Sequence, residues 1–187
     1  MTRIVAGTLG GRRIAAPPGA GTRPTSDRVR EALFSAVQAE VDLAGARFAD
    51  LYAGSGAVGL EALSRGAQHV LLVESDPRAA RVIRENVAAL RAAPAARLVT
   101  GKVATVLAAG PDGAPYDVIF ADPPYAVPDA EIAALLTALV DGAWLAPDAL
   151  VVVERSSRTG PVPWVEGVTG ERSRRYGETT LWYGRRS

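Results

Sequence analysis

With 187 residues, 48% of them hydrophobic, the chain is long enough for one sizeable core and close to the usual size of a single domain. It contains no cysteine, which excludes a disulfide scaffold, thiolate metal sites and any cysteine nucleophile. The formal net charge of +1 conceals basic ends around an acidic middle: residues 1–30 sum to +5, residues 31–154 to −8 and residues 155–187 to +4.

Basic ends on a nearly neutral chain point to contact with a polyanion through local patches. Of the 21 cationic residues, all but Lys102 are Arg, a preference that a GC-rich genome also explains, so charge alone does not name the partner. No run approaches the roughly 18 apolar residues of a membrane span, and the opening MTRIVAGTLGG lacks the apolar core of a signal peptide. A soluble, cytoplasmic protein with no membrane partner is expected.

In chain order, RIVAG and RRIAAP flank TLGG and predict a hairpin. The Pro/Gly-rich APPGAGTRPT is too short to separate independent domains. TSDRVREALFSAV predicts a helix capped by Thr25 or Ser26, with Val29, Leu33, Ala36 and Val37 on one face. Strand-like runs then follow, RFADLY at 47, HVLLVE at 69, ARLVT at 96, YDVIFA at 116 and ALVVVE at 149. They alternate with the helical patterns AVGLEALSRG, PRAARVIRENVAALRA, KVATVLAAG and PDAEIAALLTALVDG, which predicts a parallel sheet covered on both faces. Pro77 and Pro128 stand at first helical turns, and Gly66 and Gly142 near helix ends. The C-terminal SRRYGETTLWYG reads as an antiparallel strand on the sheet edge. We expect one α/β domain over residues 1–187, of which 1–24 form an N-terminal arm and 25–187 the core.

The first core strand runs into DLYAGSGAVGLEA, with Gly54, Gly56 and Gly59 in G-x-G-x-x-G spacing and Glu74 twenty residues after Gly54. Such a loop suits an adenosine-containing cofactor, because glycines permit the tight turn and a carboxylate after strand two accepts ribose hydroxyls. A nicotinamide dinucleotide and S-adenosylmethionine both fit this pattern. Asp50, four positions before Gly54, would repel a pyrophosphate and attract an amino-acid ammonium. The bland alternative is that Gly59 only lets helix and sheet pack closely.

The fourth core strand runs into DPPY, residues 122–125. Doubly wound sheets bind ligands beyond the carboxyl ends of their strands, at the switch point between strands one and four, so both motifs are expected to face one crevice. An exocyclic amine on a base is a poor nucleophile, since its lone pair is delocalised into the ring. Asp122 and the Pro123 carbonyl would each accept one N–H and aim that lone pair at an electrophilic methyl group. Pro123 and Pro124 restrict the backbone, and Tyr125 offers a face for an unstacked base. A plain exit turn is the competing explanation.

These residues resemble class I S-adenosylmethionine-dependent methyltransferases acting on amino groups, whose fourth-strand motif is [DNS]-P-P-[YFW]. RIVAGTLGGRRI, TRPTSDRVREALFS, DLYAGSGAVGLEALSRGA and FADPPY are similar to the bacterial 16S rRNA (guanine-N2)-methyltransferases of the RsmD type. The resemblance implies a Rossmann-like, doubly wound and mostly parallel sheet of order 3-2-1-4-5-7-6 with its last strand antiparallel. It implies methyl transfer to the N2 amine of one guanine in 16S rRNA of an assembled or partly assembled 30S subunit, with ribosomal proteins near the target and the enzyme a monomer. Asp50, Tyr52, Gly54, Ser55, Gly56, Glu74, Val103 and Asp122 would hold the cofactor, and Asp122, Pro123 and Tyr125 the guanine. No metal is implied. Where many class I enzymes carry an acid after strand three this chain has Lys102, leaving adenine to the Val103 backbone. Arg3, Arg12, Arg13, Arg23, Thr25, Arg28 and Arg30 would contact RNA phosphates. The alternative substrates are another amino group, adenine N6 of DNA or RNA, or a protein glutamine. Cytosine-C5 chemistry is excluded, since it needs a cysteine.

Overall fold

The computed structural model describes residues 2–17 and 26–187, and the chain divides into two compact units, residues 1–103 and 104–187. The first opens with the expected hairpin, β1 (Thr2–Arg3) antiparallel to β2 (Arg13–Ile14), Thr2 opposite Ile14. Helix α1 (Asp27–Glu40) starts at Ser26, whose hydroxyl accepts the Val29 N–H at 3.2 Å. Thr25 lies outside the described residues. The face that α1 buries is Arg30, Leu33, Phe34 and Val37, a helical i, i+3, i+4, i+7 stripe. The expected face shifts by one position because an arginine occupies it.

Strand β3 (Arg47–Leu51), α2 (Ala57–Ser64), β4 (His69–Glu74), α3 (Pro77–Ala89) and β5 (Ala96–Thr100) follow as two strand–helix–strand crossovers, with β4 parallel to both β3 and β5. Val70, Leu71, Leu72 and Val73 are all buried, as parallel strands covered on both faces require. Phe34 stacks on Phe48 at 5.8 Å, and each such buried side chain stabilises the fold by about 1.5–3 kcal/mol. Helix α2 lies so close to β4 that a Cβ on Gly59 would stand 2.4 Å from Leu72 Cδ2 and 2.8 Å from Val70 Cγ1. Gly59 therefore has the packing role that the bland reading assigns it.

The second unit takes up the chain at the start of α4 (Val103–Ala109) and contains β6 (Tyr116–Ala121), α5 (Asp129–Asp141), β7 (Leu145–Ser156), β8 (Val168–Tyr176) and β9 (Thr179–Arg186). Strands β6 and β7 are parallel, and β9 runs antiparallel between β7 and β8. Counting core strands from β3, the order is 3-2-1 within the first unit and 4-5-7-6 within the second, the two halves of the expected arrangement. The segment SRRYGETTLWYG is not one strand. It turns between Tyr176 and Thr179 and contributes to both β8 and β9. Trp144 stacks on Tyr116 at 5.7 Å, and its indole N–H donates to the Leu107 carbonyl at 3.0 Å. No helix among the described residues is long and apolar enough to cross a membrane.

Candidate active site

In the first unit, the loop from β3 to α2 takes left-handed backbone at Tyr52 (φ 63°), Gly54 (φ 61°) and Gly56 (φ 82°). The two glycines accept this freely, whereas Tyr52 costs about 1–2 kcal/mol, the kind of local strain found where a backbone is shaped for a ligand. Ser55 accepts the Ala57 N–H on its hydroxyl at 3.3 Å and, on its carbonyl, an N–H of Asn86 Nδ2 at 3.0 Å. Buried Asn86 also exchanges two hydrogen bonds with the Ala15 backbone, at 2.8 and 2.9 Å. One α3 side chain thus fastens both the glycine loop and the N-terminal arm.

Asp50 is 1% exposed and accepts the Gly59 N–H at 2.9 Å. The sequence reading aims this carboxylate at a ligand ammonium. Its position shows a structural duty as well, since it sits against the first turn of α2, where negative charge is favoured. Half-buried Glu74 accepts the Gly54 N–H at 2.8 Å on one oxygen and the Asp76 N–H at 2.9 Å on the other. This carboxylate holds the loop as well as standing at the end of the second core strand. Val103 is buried at the start of α4, and Lys102 is exposed.

The arm docks on α2 through a residue that sequence reading passed over. Glu61 is fully buried, and its carboxylate accepts the Val5 and Ala6 N–H groups at 2.8 and 3.0 Å, Arg30 Nε at 3.2 Å and Arg65 Nε at 2.9 Å. Ser64 adds bonds to Ala6, Thr8 and Leu9. The signal was present in AVGLEALS, where one acid interrupts an apolar helix. Arg30 is accordingly corrected. It is neither a phosphate contact nor part of a solvated face, because its guanidinium is buried against Glu61, Asp27 and the Arg3 carbonyl. Arg3, Arg12, Arg13 and Arg28 are exposed, while Arg23 and Thr25 lie outside the described residues.

In the second unit, Asp122 follows the last residue of β6 and is half-buried, Pro123 is buried, Pro124 exposed and Tyr125 half-buried. The Val127 N–H closes a turn onto the Pro124 carbonyl at 3.1 Å. Arg155 of β7, 3% exposed, donates to the Pro124 carbonyl at 3.3 Å and to the Val127 carbonyl at 2.7 Å. The Tyr125 and Thr179 hydroxyls lie 3.1 Å apart, so the ring is tethered to the start of β9. The prolines restrict the loop locally, and Arg155 and Thr179 fix it to the sheet.

Replacing Arg155 with methionine should strip the Val127 carbonyl of its guanidinium donor, at a cost of about 1–3 kcal/mol, and leave the Pro124 carbonyl with the Val127 N–H alone. We expect Val127 amide hydrogen exchange to speed up at least about tenfold while the core strands keep their protection. Lysine should not rescue, since one ammonium lacks the guanidinium fork that reaches two carbonyls. Unchanged exchange at Val127 would show that Arg155 does not hold the loop.

The whole chain superposes on the solved Escherichia coli protein yhhF with a TM-score of 0.83 and 34% identity, covering 100% of this chain and 98% of that one. The magnesium protoporphyrin IX methyltransferase ChlM of Synechocystis PCC 6803 shares the fold at 15% identity, with a TM-score of 0.66 over 86% of this chain and 79% of that one. The architecture is the Rossmann-like class I methyltransferase fold. Residues 2–185 match the family described as conserved hypothetical protein 95, and the chain belongs to that family. It is 37% identical over 166 residues to ribosomal RNA small subunit methyltransferase D of Escherichia coli K12, covering 87% of this chain and 80% of that protein. The resemblance read from TRPTSDRVREALFS and FADPPY is borne out at the level of family.

Proposed function

We propose that the protein transfers a methyl group from S-adenosylmethionine to the exocyclic N2 amine of a guanine in 16S rRNA, presented by an assembled or partly assembled 30S subunit. The observation that carries this reading is the loop Asp122–Val127, an acid and an aromatic on a backbone tied down by buried Arg155 and by Thr179. A turn that only redirected the chain would not need these three side-chain hydrogen bonds.

The cofactor supplies the electrophilic methyl group. Tyr52, Gly54, Ser55 and Gly56 shape the loop that would receive it, and the Val103 backbone would contact its adenine. Glu74 uses one lone pair of each oxygen on the loop backbone, and its remaining lone pairs suit ribose hydroxyls. Buried Asp50 adds negative charge beneath the loop, which favours a cation over a pyrophosphate. Asp122 and the Pro123 carbonyl accept the two N–H groups of the amine and aim its lone pair, and the Tyr125 ring, held by its hydroxyl, offers a flat surface to the base. Arg3, Arg12, Arg13 and Arg28, with Arg23 and Thr25, contact phosphates and bring the strand to the loop. The enzyme works in the cytoplasm as a monomer, and ribosomal proteins beside the target help to present it.

Incubation with labelled S-adenosylmethionine and small subunits lacking the modification should yield labelled N2-methylguanosine on nucleoside analysis. Label recovered in N6-methyladenosine or in protein glutamine would replace guanine as the substrate.

A further inference from the structure

Strand β8 is the outer member of the second unit's strand order, and from Thr169 to Arg175 every residue is exposed. It bears Arg172, Arg174 and Arg175, and a fourth exposed arginine, Arg158, follows β7. These belong to one end of the hairpin. Ser157 donates to the Glu178 carbonyl from its backbone and to the Gly177 carbonyl from its hydroxyl, and Arg175 Nε donates to the same Gly177 carbonyl at 2.9 Å. Arg158 and Arg175 therefore flank the β8–β9 turn.

The opposing charge nearby is small. Glu171 is engaged by Arg185 at 3.3 Å, and Glu178 stands in the turn itself, so four arginines face two acids. The guanidinium of exposed Arg172 lies over the Tyr183 ring, its Cζ 4.9 Å from the centroid, so one face of the plane rests on the ring while its N–H edge can still meet a phosphate. Arg172 and Arg174 share a face, about 7 Å apart along an extended strand. The residue after the turn is Thr179, whose hydroxyl holds Tyr125. The basic end of this hairpin is thus joined, through one side chain, to the aromatic that receives the base.

We propose that the turn end of the β8–β9 hairpin, with Arg158, Arg172, Arg174 and Arg175, is a second phosphate-contacting surface, which grips the RNA strand flanking the guanine at Tyr125. This rests on the reading of the substrate as rRNA. Arginines on an exposed edge strand also deter edge-to-edge pairing of chains, so the experiment separates the two roles.

The triple variant Arg158→Gln, Arg172→Gln, Arg174→Gln removes three charges and leaves Arg175, which supports the turn, in place. Melting temperature and S-adenosylmethionine affinity should match wild type, while affinity for unmodified small subunits falls at least about tenfold. The slope of log affinity against log salt should decrease by about two units, since each single-strand phosphate contact contributes about 0.7. A variant that binds subunits with wild-type affinity and slope, while wild type transfers methyl groups normally, overturns the proposal and leaves the edge-guarding role. Wild-type protein with no transfer and no salt-dependent binding removes the rRNA reading and the proposal together.

Discussion

Replacing Asp122 with alanine should reduce methyl transfer by at least about 10²–10³-fold, the usual cost of losing one preorganised group at the reacting centre. Affinity for S-adenosylmethionine, measured by calorimetry, should stay within a few-fold of wild type. The asymmetry follows from what the side chain is asked to do. An aromatic amine must give up delocalisation to become nucleophilic, so an acceptor that engages its N–H is worth most as the nitrogen becomes tetrahedral and gains positive charge. On the proposed reading, ground-state binding of the cofactor rests mainly on Gly54, Gly56 and Glu74, on another segment of the chain. A carboxylate acceptor forms hydrogen bonds about twice as strong as a neutral one. Asp122→Asn, which keeps an acceptor oxygen and loses the charge, should fall between alanine and wild type. Normal turnover in the alanine variant, with a melting temperature unchanged, would remove Asp122 from the reaction and with it the proposed cradle.

The parts of the molecule that were legible in the sequence are those governed by local rules. HVLLVE and YDVIFA become β4 and β6 with the expected boundaries, because largely buried parallel strands need apolar runs. ARLVT becomes β5, an end strand with only Ala96 buried, on its short β-branched stretch between turn residues. The glycine loop was legible because left-handed backbone at Gly54 and Gly56 restricts the residue type. The illegible parts depend on which side chains meet across long sequence separations. Arg30 looked like a surface residue because its charge is cancelled by Glu61, 31 positions away. Arg155 stands just past the apolar run ALVVVE, where nothing local marks it, yet it reaches the carbonyls of Pro124 and Val127. The resemblance implied both C-terminal strands, but the residue pattern of SRRYGETTLWYG showed only one, for another reason. Its outer strand β8 is exposed on both faces, so no hydrophobic alternation marks it, and only β9 carries a strand-like signal. The prolines of DPPY restrict the backbone only locally, and the anchors that complete the loop lie in β7 and β9.

Replacing Glu61 with alanine should be the most damaging single change to stability, about 3–5 kcal/mol, because it breaks a buried ion pair and leaves the partner charge in place. Four donors converge on this carboxylate, two backbone N–H groups of the arm and the Nε atoms of Arg30 and Arg65. Arg65 can swing to water and already bonds Gln38 at 2.9 Å and lies over Phe34 at 5.0 Å. Arg30 has no such escape, being fully buried within the face that α1 packs inward. Its remaining partners, Asp27 and the Arg3 carbonyl, do not replace the lost countercharge in the interior. For a chain of this size each kcal/mol shifts the melting temperature by about 2–4 °C, so a fall of about 10 °C is expected by calorimetry. The arm should loosen first, since Val5 and Ala6 can recover their hydrogen bonds from water only by leaving α2. Faster amide exchange at these two residues should therefore exceed that in β4. Glutamine should rescue little, because its amide turns two donor hydrogens toward groups that are themselves donors. Changing both partners to methionine should restore part of the loss, since an apolar pair leaves no stranded charge. A double variant no more stable than Glu61→Ala would mean that the backbone bonds to the arm, and not the buried arginine, account for the cost.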